Sequence, residues 1–93
     1  MSLQINLGEK FGIVFREIAK ISPRERDEMA AKEKAGEYTL ADQCRAFSKV
    51  LLKGNGEPSF TFDEIYDNGE LFDAIMEEIP KAEEADFESR KKK

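Results

Sequence analysis

Few residues in this chain have chemistry to offer. Cys44 is the single cysteine, and there is no histidine. Without histidine, Ser–His and Cys–His nucleophile pairs are excluded and the commonest general base is missing. Cys44 stands between Leu40 and Phe47 on an apolar helical stripe. A reactive thiol needs a polar, accessible setting, so Cys44 reads as a buried structural residue. The stretch Ser59–Phe72, SFTFDEIYDNGELF, gathers carboxylates around a glycine and admits three readings: a calcium loop, a hairpin, or two helices meeting at a break. With Gly69 in the obligatory sixth position, a calcium loop puts Tyr66 third and ends on Ile75, where a bidentate glutamate is required. A hairpin needs alternation on both sides of Asn68-Gly69, but Leu71, Phe72, Ile75, Met76 and Ile79 follow helical spacing. Two helices with a break remain. Glu77-Glu78 and Glu83-Glu84 are adjacent pairs that diverge around a helix, so they make no all-carboxylate metal site. Gly54, Gly56 and Gly69 match no phosphate-loop spacing. The expectation is a non-enzyme with no catalytic residue, no cofactor and no metal.

The elements that would position these residues read as helices. Phe11, Val14, Phe15, Ile18 and Ile21 fall on one helical stripe over Glu9–Ile21, although Gly8 and Gly12 weaken its start. Leu3, Ile5 and Leu7 alternate ahead of it and admit a short strand or extended arm. Ser22-Pro23-Arg24-Glu25 carries a cap, a first-position proline and a capping-box glutamate, so a charged helix runs from Pro23 to about Lys34 and stops at Gly36. Thr39 caps the best amphipathic segment, with Leu40, Cys44, Phe47 and Leu51 inward and Val50 beside them. Lys53–Pro58 is a loop. Thr61-Phe-Asp-Glu64 opens a short helix, and a further helix runs from about Glu70 to Ile79, closed by Pro80.

The fold class expected is therefore all-α: a small bundle of four principal helical segments. Residues 1–80 form a single helical domain, and 81–93 form a charged tail, partly disordered toward its last residues. The core should draw on Phe11, Val14, Phe15, Ile18, Leu40, Cys44, Phe47, Leu51, Phe62, Ile65, Leu71, Phe72, Ile75 and Ile79.

Charge is segregated along the chain. Residues 1–56 carry ten Lys/Arg against eight Asp/Glu, whereas residues 57–89 carry one Lys against twelve Asp/Glu. Such a block repels nucleic acid and attracts basic surfaces, or simply keeps a small protein solvated. A helix-turn-helix reading of MAAKEKAGEYTLADQCRAF fails because Asp42 and Arg45 occupy positions that need apolar anchors. There is no long apolar run and no basic-then-apolar leader at the N-terminus, and a lone cysteine suits a reducing compartment, so a cytoplasmic location is expected. Ile13, Tyr66, Met76 and Phe87 fall off the core stripes and are the candidate partner-binding residues, or extensions of a broad buried face.

The order of segments over roughly residues 22–79 resembles the tail assembly chaperones of long-tailed phages. It runs as a charged helix, then YTLADQCRAFSKVLL, then a Gly/Pro loop, then FTFDEI…ELFDAIMEEI. The resemblance implies a small, mostly helical protein in the host cytoplasm that binds the tape measure protein before the tail tube polymerises, with weak self-association and no direct contact with nucleic acid or membrane. It also admits a longer form made by a −1 frameshift at Lys91–Lys93, although that stretch reads first as a plain basic tail. The alternative is a small acidic inhibitor or nucleic-acid mimic that binds a basic nuclease or transcription protein.

Overall fold

A computed structural model describes residues 3–91, and its N-terminal hairpin overturns the helix expected over 9–21. Gly8 and Gly12 have φ of +97° and +80°, a left-handed conformation that costs other residues about 1–2 kcal/mol. They close a turn in which Leu7 N–H donates to Gly12 C=O at 2.8 Å and Gly12 N–H to Gly8 C=O at 2.7 Å. Strands β1 (Leu3–Asn6) and β2 (Ile13–Arg16) flank this turn and pair antiparallel, Ile5 opposite Val14. The helical spacing of Phe11, Val14, Phe15 and Ile18 was coincidental: a short apolar run does not distinguish strand from helix by period. The β-branched pair Ile13-Val14 and two flanking glycines decide for the strand. The alternation of Leu3 and Ile5 is that of a real strand, with Ile5 buried, and Leu7, just past its end, is buried too.

After a 3₁₀ turn at Ile18–Lys20, helix α1 (Pro23–Lys34) starts on Ser22, whose Oγ accepts from Glu25 N–H at 3.2 Å. Glu25 does not complete the expected capping box; its carboxylate meets Lys49 of the next helix. Gly36 (φ +73°) ends α1 in a Schellman turn: Glu37 N–H donates to Lys32 C=O at 2.7 Å and Gly36 N–H to Glu33 C=O at 3.1 Å. Helix α2 (Leu40–Val50) carries the full Thr39/Asp42 capping box and passes directly into strand β3 (Leu51–Leu52), which pairs antiparallel with β2. Helix α3 (Phe62–Tyr66) has the Thr61/Glu64 box. Asn68 then caps α4 (Gly69–Lys91), its Oδ1 accepting from Leu71 N–H at 3.2 Å. The Asp67-Asn68-Gly69 break is thus an end and a start.

The expectation of an all-α fold is corrected accordingly: among the described residues this is a mixed α/β domain, four helices with a three-stranded antiparallel sheet in the order β1-β2-β3. The expected stop at Pro80 is also corrected. A proline inside a helix forfeits one backbone bond and costs about 3 kcal/mol or more, yet α4 continues to Lys91. Contacts hold the helix on either side of the proline. Lys81 Nζ reaches Glu77 at 3.1 Å and Glu78 at 3.4 Å, tying together the turn around Pro80. Ala82 packs on the core, and Arg16 of β2 holds Glu83 at 3.5 Å. The basic residues Arg90 and Lys91 suit the C-terminal end of the helix dipole. Lys92 and Lys93, part of the expected disordered tail, lie outside the described residues, as do Met1 and Ser2.

The core joins the inner sheet face (Ile5, Val14, Leu51) to Cys44, Phe47 and Val50 of α2, Ile65 of α3, and Leu71 and Ile75 of α4. Phe47 and Phe72 meet at 6.0 Å between ring centroids, tilted by 52°. Three expected core residues are not in it: Leu40 is 67% exposed and Ile18 48%, and Phe15, half-buried, stands opposite Leu52 on the outer sheet face. The buried arc of α2 centres on Ala46, Phe47 and Val50, which rotates Leu40 outward. Ile18 leaves the sheet on the 3₁₀ turn.

Candidate partner-binding groove

Four elements leave a gap where their apolar faces do not quite meet. Ile18 and Ile21 border it from the 3₁₀ turn and the residue that follows it, Met29 from α1, and Ala46, Phe47 and Val50 from α2. Met76, Ile79 and Pro80 border it from α4. The resulting groove has a volume of about 290 Å³, and its polar lining residues are Arg16 and Gln43. Arg16 and Ile18 also line a second hollow of about 530 Å³ with Leu3, Glu83, Glu84 and Phe87. The two hollows share Arg16 and Ile18 and lie in succession along α4 between Met76 and Phe87, about 16 Å apart at the helical rise, and are together called the trough below.

The trough has a charged flank. At helical spacing Asp73, Glu77, Glu84 and Glu88 share one exposed face of α4, immediately beside Met76, Pro80 and Phe87. Within the second hollow Arg16 pairs with Glu83 at 3.5 Å and Arg90 with Asp86 at 3.2 Å, and Glu84 also lines it.

The four candidate partner residues are all exposed, but the structure does not bring them all together. Met76 (49% exposed) and Phe87 (62%) lie along the trough. Tyr66 belongs to a different cluster: it stacks on Phe62 at 5.1 Å with an 18° interplanar angle, and the Arg45 guanidinium lies 5.2 Å over the Phe62 ring. Ile13 sits on the outer sheet face beside the hairpin turn, opposite Asn6. Ile18 was missed, having been assigned to the core. The signal available was Gly8 and Gly12: once these mark a turn, residues 13–16 become a strand and Ile18 falls beyond it.

A second hollow of interest, between α1 and α2, is polar. Asp42 accepts from Lys32 at 3.3 Å and from Arg45 at 3.1 Å, while Glu25 meets Lys49. The hydrogen bond from the Thr39 backbone, aided by Lys32, holds the Asp42 carboxyl below its ordinary range, and Lys49 does the same for Glu25. The hydroxyl of Tyr38 faces this region without a hydrogen-bond partner among the described residues, and burial pushes its pKa up. These pairs tie α1 to α2. Cys44 is buried, and burial raises its thiol pKa, the setting of a structural rather than a nucleophilic cysteine. Among the described residues, no three Cys, Asp or Glu side chains gather as a metal-binding group, and no helix is long and apolar enough to cross a membrane.

Comparison of the chain with protein-family models, curated proteins and solved structures finds no match.

Proposed function

We propose that this protein acts by holding rather than by catalysis, as a tail assembly chaperone-like protein that keeps a long helical partner soluble before assembly. The observation that carries this reading is the open apolar groove bordered by Ile18, Met76 and Ile79, which adjoins a charged hollow at Phe87 and has a row of carboxylates along one side. An amphipathic helix docks in such a groove through residues spaced three and four apart. Its Leu-sized anchors each gain about 1.5–3 kcal/mol on leaving water. Lys or Arg beside those anchors meets Asp73, Glu77, Glu84 and Glu88, which fixes orientation and speeds encounter more than it adds affinity. A tape measure protein, a long helix with exposed apolar stripes, is the partner this chemistry suits, and several copies along one chain would act in the cytoplasm of the host.

The rival reading, an acidic mimic of nucleic acid, needs two phosphate-like rows of carboxylates. The exposed face of α4 offers one row, and Lys81 interrupts it. The groove therefore favours holding.

The test is a pull-down at low and moderate salt from the cells that carry the gene, comparing the wild type with Ile18→Glu and Met76→Glu. A very long helical protein, retained as salt rises and lost with either variant, is the expected result. A basic nucleic-acid-binding protein that washes off with salt and ignores both substitutions would overturn the reading in favour of the mimic.

A further inference from the structure

We propose that Asn55 is a site of spontaneous deamidation, converted through a cyclic imide to aspartate and isoaspartate, and that the fold shields the second Asn-Gly pair of the chain. Asn55-Gly56 and Asn68-Gly69 carry the same chemistry in the sequence. A glycine after asparagine leaves the backbone nitrogen unhindered by a β-carbon, so that nitrogen, once deprotonated, can attack the side-chain amide. At Asn55 the Gly56 nitrogen bonds to Cγ and the Cγ–Nδ2 bond breaks, which releases ammonia and closes a five-membered imide. Water then opens the ring at either carbonyl. One opening gives aspartate; the other gives isoaspartate, whose main chain runs through the former side chain. The sum is amide plus water to acid plus ammonia, with no oxidant or reductant.

Access does not separate the two sites. Both asparagines are exposed, and a Cβ added at Gly56 or Gly69 would meet nothing within 4 Å. Activation of the carbonyl does not separate them either. Asn55 Oδ1 accepts from Glu57 N–H at 3.0 Å, and Asn68 Oδ1 accepts from Leu71 N–H at 3.2 Å. Each donor is placed to stabilise the negative charge that builds on the oxygen during attack.

What separates them is how the backbone is held. Ring closure turns the asparagine about its Cα–C bond, and whatever is tied to that peptide must let go. Asn55 sits within the exposed loop 53–58, and neither its own N–H nor its C=O takes part in a backbone hydrogen bond among the described residues. Attack there gives up one backbone bond, from Gly56 N–H to Lys53 C=O at 2.9 Å. Asn68, by contrast, is the junction of α3 and α4. Its N–H donates to Ile65 C=O at 3.3 Å, its C=O accepts from Phe72 N–H at 3.0 Å, and its side chain caps α4. Ile65 and Leu71 on either side are buried in the core. Freeing Asn68 therefore loosens the start of α4, an opening that costs more than that of an exposed loop. Loss of a cap and of the first helical bond slows the reaction there by about ten-fold or more.

The modification is independent of the helix-holding function, because Asn55 and Gly56 border neither hollow of the trough.

The experiment incubates the full chain in mildly alkaline buffer, folded and in urea, and follows both sites by peptide mapping with mass spectrometry. In the folded protein Asn55 should gain the mass of an acid-for-amide exchange, with normal and iso products separated by chromatography. Asn68 should convert about ten-fold more slowly or less. In urea the two sites should convert at comparable rates. Asn55→Ser, at an exposed loop position, should abolish the fast phase of ammonia release from the folded chain. An Asn55 that stays amidated in the folded protein while it converts in urea overturns the proposal. So do equal rates at the two sites in the folded protein, or a fast phase that survives Asn55→Ser.

Discussion

Burial pushes the Cys44 thiol above its ordinary pKa, and its neighbours in the core, Phe47, Val50 and Ile65, offer no charge to pull it back. Alkylation under native conditions should therefore be slow and should become fast only in denaturant, which a timed thiol assay would show. Cys44→Ser places a hydroxyl where the thiol sat among apolar side chains and should cost about 1–3 kcal/mol in urea unfolding. Rapid native labelling, or a serine variant as stable as the parent, would contradict the buried setting. At Gly12 the difficulty is the backbone alone. An added Cβ would meet nothing within 4 Å, but φ is +80°. Gly12→Ala should lose about 1–2 kcal/mol, and a neutral result would mean that the hairpin turn is not left-handed there. This residue also shows what the sequence conceals. A glycine's φ is not written in its identity, so Gly12 reads equally as a weak helix position and as a turn. Only the Ile5–Val14 pairing, between residues far enough apart to need the turn, distinguishes them.

At the scale of elements, legibility followed the reach of the signal. The caps were readable because each is local, between residues three apart: Ser22 accepts from Glu25 N–H, though without the expected return bond from Glu25, and Thr39 with Asp42 and Thr61 with Glu64 form full capping boxes. Thr39→Ala and Thr61→Ala should each cost about 1 kcal/mol in thermal or urea unfolding; no loss from either would mean that the capping bonds contribute nothing net. The sheet was not readable, because β3 is two residues long and is defined by partners in β2 rather than by its own pattern. Pro80 misled for a different reason. Its local penalty is real, yet the helix continues through it, with contacts on both sides: Lys81 with Glu77 and Glu78, Ala82 on the core, Arg16 with Glu83. Pro80→Ala restores a donor to the Met76 carbonyl and should stabilise the protein by about 1–3 kcal/mol, read as a higher urea midpoint. A destabilised variant would show that the proline ring packs in the groove more than it strains the helix. The candidate groove was half legible. Met76 and Phe87 announce themselves by leaving the apolar stripe of α4, whereas Ile18 reaches the trough only through a topology that the sequence does not disclose.

For the whole molecule, charge links stability to pH with a definite sign. Glu25 and Asp42 are held below their ordinary values of 4.5 and 3.8 by Lys49 and by the Thr39 backbone, respectively. A carboxyl whose folded pKa is depressed contributes stability that is present above the unfolded value and lost as pH falls through the folded one. Lys81, raised from 10.5 by Glu77 and Glu78, and Tyr38, raised from 10.0 by burial, act on the other side. Their contributions are full below the unfolded values and fade as pH climbs past them. The urea midpoint should therefore be highest near neutrality, fall on acidification below about pH 4.5, and fall again above about pH 10. The acid limb is the more informative, because Glu25 and Asp42 both belong to the ties between α1 and α2. Lys49→Met removes the main cause of the Glu25 shift while keeping an apolar stem of similar length. It should lower the midpoint at pH 7 and flatten its fall toward pH 3, so that the variant and parent curves converge in acid. Parallel curves at a constant offset would mean that Lys49 stabilises α2 by packing alone. The Glu25–Lys49 tie would then have no part in how this domain responds to acid.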